Sequence, residues 1–148
     1  MNSRDFLDLA AELILGEREA DWRSAVSRAY YAAFHVARQL LDICGFRVPQ
    51  ADRSHKYLAQ RLMNSGHPEV VDVGLDLDDL RRVRNSADYD LKRMLKQELA
   101  SAQVQSALDI VQILELARDD QVVRQRITDA MRTYERDVLQ DVTWQTTP

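Results

Sequence analysis

Residues 21–44, DWRSAVSRAYYAAFHVARQLLDIC, decide the fold class of this chain. Trp22, Val26, Ala29, Ala33, Val36, Leu40 and Ile43 recur at alternating steps of four and three, the period of an α-helix. A second stripe, Tyr30, Phe34, Ala37, Leu41 and Cys44, runs beside the first. Two adjacent stripes make more than half of the circumference apolar, so this segment is predicted to be a central helix covered by others. Its remaining face carries Ser24, Arg28, Tyr31, His35, Arg38 and Asp42. Gly45 supplies a stop, and Val48-Pro49-Gln50 opens a connector.

Working outward, a first helix is predicted over residues 3–15, with Ser3 as N-cap, Phe6, Leu9 and Leu13 inward, and Gly16 as its end. A third helix is predicted over 52–64, burying Tyr57, Leu58, Leu62 and Met63, before the break Asn64-Ser65-Gly66-His67-Pro68. Pro68 suits the first position of a fourth helix, which ends between Asp88 and Leu91. Val70, Val73, Leu77, Leu80, Val83 and Ala87 form its buried stripe, although Gly74 costs about 1 kcal/mol relative to Ala. A fifth helix over 96–118 has Leu99, Val104, Leu108, Val111, Leu114 and Ala117 as core candidates. Asp119-Asp120 can cap a sixth, extra helix through 141 that buries Val123, Ile127, Ala130, Tyr134 and Val138. No Gly or Pro separates these two, so one long bent helix is the alternative. Residues 144–148 are expected to be a disordered tail.

The composition agrees with one all-α domain over 1–143. A chain of 148 residues with 45% hydrophobic and 30% charged residues can bury a core, and 4 Gly and 3 Pro leave few turns. The formal net charge of -4 excludes nucleic-acid binding by bulk charge, so any RNA contact requires a local basic groove. Cys44 is the single cysteine, which excludes an internal disulfide and a multi-cysteine zinc site; its apolar setting predicts a buried thiol. No apolar run approaches the roughly 18 residues of a membrane span. The first residues, Met1-Asn2-Ser3-Arg4-Asp5, lack the pattern of a signal peptide, and a cytoplasmic location is expected.

Several chemistries are absent from the sequence: a Gly-rich phosphate loop, a His-Glu-x-x-His pair and a Gly-x-Ser-x-Gly elbow. The three histidines, His35, His55 and His67, fall on different predicted elements, so a metal site could be built from them only by tertiary convergence, and no metal is expected; no cofactor is expected either. Two segments remain: Ser27–His35, SRAYYAAFH, inside the second helix, and Leu80–Asp90, LRRVRNSADYD, at the end of the fourth.

Together, in this order and separation, the two segments resemble the HEPN (higher eukaryotes and prokaryotes nucleotide-binding) domain family, over residues 3–118. The resemblance implies an antiparallel bundle of four to five core helices, with the C-terminal helix as an addition. It implies a homodimer with the motif arginines near the dimer cleft, and a nucleotidyltransferase-type partner protein. Active members are metal-independent ribonucleases, frequently toxins or defence effectors, whose motif is an arginine, a polar residue and a histidine four to six positions after the arginine. Arg84 takes the arginine position and Asn85 the polar one, but the histidine position falls on Tyr89.

That departure has chemical weight. Metal-free RNA cleavage requires a base for the ribose 2′-hydroxyl and positive charge for the phosphorane. Arg84 can supply the charge. A tyrosine, with a reference pKa near 10, is a poor base at neutral pH where a histidine near 6.5 is suitable. His35, sharing a helix face with Arg28 and Tyr31, is the replacement base the sequence offers, and Arg81, Asn85 and Asp88 complete the candidate binding set. The expected function is therefore an RNA- or nucleotide-binding protein of a toxin–antitoxin or defence-type system with a degenerate nuclease motif. An active ribonuclease with a variant base, and a non-catalytic dimeric interaction module, remain as alternatives. The plainer reading of Arg84 and Asp88 is a surface pair at i,i+4.

Overall fold

Helix α2 (Glu19–Cys44) forms as its periodicity dictates and lies at the centre of an all-helical computed structural model that describes residues 1–145. Ala25, Ala29, Ala32, Ala33 and Ala37 are all fully buried, and these small side chains let α1 (Arg4–Leu13), α4 (Pro68–Tyr89) and α5 (Gln97–Asp119) pack close to its backbone. Ile43, expected in the core, is 53% exposed. A stripe built on steps of four and three has a period of 3.5. Over the three heptads from Trp22 it drifts by roughly 60° against a straight 3.6-residue helix, enough to rotate its last member into solvent.

The remaining helices follow the sequence with local corrections. Ser3 does not cap α1: its backbone is already helical, and its hydroxyl accepts a hydrogen bond from Gln39 Nε2 at 3.2 Å. The side chain of Asn2 takes that place, accepting from the Arg4 amide at 3.0 Å. Leu9 in α1 and Leu99 in the first turn of α5 are exposed rather than core. Helices α5 and α6 (Gln121–Tyr134) are separate, not one bent helix, because Asp120 adopts extended backbone and its carboxylate accepts from the amides of Val122 and Val123. A short π-helical turn, Glu135–Leu139, follows α6. Glu135 continues the buried stripe of Ile127 and Met131 at steps of four and is completely buried, and the wider turn that follows leaves Val138 in solvent.

Glu135 organises the end of the chain. Its carboxylate accepts from Arg61 Nε and Nη2, both at 2.9 Å, from the amides of Thr143 and Trp144, and from the Thr143 hydroxyl. Arg61, on α3 (Arg53–Met63), is itself buried and stacks over the Tyr57 ring at 3.4 Å. Trp144 bridges to Phe46 in an antiparallel pair and donates its indole N–H to the Cys44 carbonyl at 2.8 Å, and Gln145 donates to the Gly45 carbonyl. Gly45 holds a φ of 102°, and a Cβ there would meet the Trp144 indole at 2.8 Å, so the glycine both ends α2 and admits the strap. Residues 144 and 145 are thus fastened to the bundle, where the sequence expectation has a disordered tail; 146–148 lie outside the described residues. Among the described residues no helix is long and apolar enough to cross a membrane.

Candidate functional site

Helices α2 and α4 run antiparallel, a direction fixed by three contacts at successive levels. Arg23 reaches the end of α4 and donates to the carbonyls of Ala87 at 2.9 Å and Asp90 at 3.1 Å, covering acceptors that the helix end leaves open. One level along, Ser27 donates to Asp88 at 3.2 Å, and at the next Tyr30 lies under Arg84. Glu19 completes the clamp by pairing with Arg23 and accepting from the Leu95 amide at 2.8 Å, an amide bond that, with Arg23, holds its carboxyl below the usual range. The RRVRNSADYD segment is therefore held rigidly against α2.

On its other side α4 faces α3, also antiparallel. Gly74 brings the backbones together: a Cβ there would sit 2.7 Å from the Met63 nitrogen. Between the face of α3 that runs from Asp52 to Met63 and the Asp78–Tyr89 part of α4 lies a cleft of about 780 Å³. Lys56, Arg81, Arg82 and Arg84 line it, with Asp52 and Asp78 as the acids and Asn85 and Gln60 as neutral polar groups. Arg81 and Arg82 share the single carboxylate of Asp78, at 3.0 and 2.8 Å, so the wall stays electropositive in an acidic protein.

Arg84 is the most informative residue of the cleft. It is only 7% exposed, and its Nε is buried with no hydrogen-bond partner. The guanidinium stands 5.1 Å from the Tyr30 ring centroid and 5.3 Å from that of Tyr31, so two aromatic faces hold it from below. Its one ion pair among the described residues, to Asp88, is long at 3.7 Å. A buried cation with an unmatched N–H and a distant counter-ion is under-neutralised, and an anion entering the cleft would meet that demand.

His55 sits beside it. Its Nδ1 is hydrogen-bonded to the Tyr30 hydroxyl, and its ring packs on Tyr30 and Phe34. Burial raises the Tyr30 pKa, so the phenol stays protonated, and its O–H is satisfied by donating to Nδ1, its one partner among the described residues. The imidazole then carries its hydrogen on Nε2, the nitrogen left for a ligand in the cleft. Burial, followed by the charges of Arg84 and Arg81, lowers the His55 pKa and keeps the ring neutral. The resting site thus offers a neutral N–H donor next to an under-neutralised guanidinium.

The residues singled out from the sequence are only partly brought together. Arg81, Arg84, Asn85 and Tyr89 line the cleft, with Tyr89 77% exposed at its outer end. Tyr31 supports Arg84 from below. Asp88 turns toward Ser27, and Arg28 lies over the Phe6 and Tyr31 rings, both away from the cleft lining. His35 does not point into the cleft: its ring stacks on Phe6 at 5.8 Å, on the α1 side of the aromatic row. It therefore cannot replace the missing motif histidine there, and burial, then the Arg38 charge, lowers its pKa. Among the described residues no three metal-binding side chains converge.

The α3 contribution escaped sequence reading. Asp52, His55, Lys56, Ala59, Gln60 and Met63 all line the cleft, and their spacing of three, one, three, one and three is a helical face of its own. That polar stripe, opposite Leu58 and Leu62, is the signal that identifies it. No protein-family model, curated protein or solved structure matches this chain.

Proposed function

We propose that this chain is a nucleotide- or RNA-binding protein of HEPN-like character, and that the α3–α4 cleft seats a phosphate of its ligand against Arg84. The observation that carries this reading is the buried, under-neutralised Arg84 guanidinium at the base of a cleft lined by three further cations. A guanidinium matches phosphate geometry, the His55 Nε2–H adds a second donor, and the exposed Tyr89 ring offers a stacking surface for a base. A toxin–antitoxin or defence setting, a homodimer and a nucleotidyltransferase-type partner belong to the same proposal and rest on the resemblance alone. For the dimer, the exposed Leu91 and Met94, just beyond the end of α4, are the apolar surface to bury.

The test is a titration of purified protein with a fluorescent single-stranded RNA in the presence of chelator. Arg84→Ala is expected to weaken binding at least tenfold while leaving the helical circular dichroism unchanged. Equal affinity in the two proteins refutes the assignment. A ribonuclease is the second reading, favoured by His55 and Arg84 lining the same cleft. In the resting tautomer His55 is a donor and not a base, which favours binding over cleavage. RNA cleavage by the wild type that is lost in both Arg84→Ala and His55→Ala would reverse that preference.

A further inference from the structure

A second cavity lies on the opposite flank of α3. It measures about 400 Å³ and is lined by Arg47, Arg53, Lys56 and Tyr57, with Asp141 and Thr143 of the C-terminal strap on its far wall. Arg61 also borders it, but its charge is consumed by Glu135. Arg47, Arg53 and Lys56 are exposed and enter no ion pair among the described residues, and Asp141 is the one acid of the lining. Lys56 and Gln60 line both cavities, so the two are contiguous across the exposed face of α3. The outcome is a single electropositive path, from Arg82 and Arg84 over Lys56 to Arg53 and Arg47.

We propose that this path is a two-part binding site for single-stranded nucleic acid, with the second cavity holding phosphates of the strand whose first phosphate sits on Arg84. The proposal rests on the cleft reading above and narrows its ligand from a mononucleotide to a strand. The dimensions require this. An α-helix with side chains is about 10–12 Å wide, and a stacked strand advances about 3.4 Å per phosphate, so crossing α3 takes roughly three to four nucleotides. A mononucleotide fills one cavity only. Cations of both cavities point at a phosphodiester backbone, which presents one charge per residue at regular spacing, and no base-specific partner is required.

The experiment compares UMP, the octamers rU8 and dT8, and the full chain against Arg47→Ala/Arg53→Ala. UMP binding is followed by NMR shifts of the histidine protons and octamer binding by anisotropy. The octamers are expected to bind at least tenfold more tightly than UMP. The double variant should lose about tenfold in octamer affinity, keep UMP affinity unchanged, and flatten the log Kobs against log salt slope by about 1.4, two released counter-ions at roughly 0.7 each. Binding of either rU8 or dT8 in this manner supports the path, and the pair tells which strand it accepts. If UMP and the octamers bind equally, or the double variant leaves the octamer slope unchanged, the second cavity is not part of the site while the cleft assignment stands. If Arg84→Ala leaves all binding intact, the cleft assignment itself falls.

Discussion

Replacing Glu135 by Gln is the sharpest perturbation of the fold. In the native protein Glu135 is fully buried and accepts from five donors on Arg61, Thr143 and Trp144. Glutamine keeps the shape but removes the charge and turns an NH2 group toward N–H donors. Arg61, 3% exposed, then keeps its charge with no carboxylate against it, only the neutral amide and the Tyr57 ring. Breaking one side of a buried pair costs about 3–5 kcal/mol. For a chain of this length about 2–4 °C of Tm accompany each kcal/mol, which gives a fall of about 6–20 °C. Calorimetry reads the melting, and tryptophan fluorescence in a Trp22→Phe background reads Trp144 and the strap, which should loosen before the bundle does. The control is Arg61→Met/Glu135→Gln, in which no charge is stranded; it should recover at least half of the loss. A drop below about 1 kcal/mol in the single variant, or a double variant no better than the sum of the two singles, would refute the claim that a stranded charge is what destabilises.

Two other outcomes follow from particular contacts. Gly74→Ala gains helix propensity yet drives a Cβ into the Met63 backbone at 2.7 Å and the Ala59 carbonyl at 3.1 Å, so a loss of about 1–3 kcal/mol in urea denaturation is expected, whereas a gain would mean that α3 can give way. His35 and His55 both hold pKa values below the ordinary 6.5 because burial disfavours the charged ring. The unfolded chain then binds protons that the folded one refuses; their contribution is complete above about pH 6.5 and is lost as pH falls through the folded values. The fall in Tm between pH 7.5 and 5 should be shallower in His35→Gln/His55→Gln, and an unchanged slope would contradict the burial of both rings.

The helices were legible from the sequence because each carries an apolar stripe of helical period, and the cores of α2 and α4 rest on Val26, Leu40, Val73 and Leu80 as their spacing requires. Periodicity failed where it met other forces. The 3.5-residue step carried Ile43 out of the core, and a π-helical turn left Val138 in solvent. The strap was invisible because its anchors are distant in sequence: Trp144 meets Cys44, one hundred positions earlier. Of the candidate site, Arg81, Arg84, Asn85 and Tyr89 share one helix and so could be grouped by spacing alone. His35 and His55 could not be ranked, since nothing in a one-dimensional pattern states which helix faces α4.

By itself, then, the sequence determined which segments are helical, that α2 is central, and that Arg84 is a residue to watch, since these depend on local spacing and residue chemistry. Only the tertiary structure decided that His55 and Lys56, rather than His35, share the cleft with Arg84, that Gly74 lets α3 and α4 approach backbone to backbone, and that one carboxylate, Asp78, serves both Arg81 and Arg82. Those facts arise from two antiparallel helices meeting in space, and electrostatic demand is a property of the groups that meet there, not of their order along the chain.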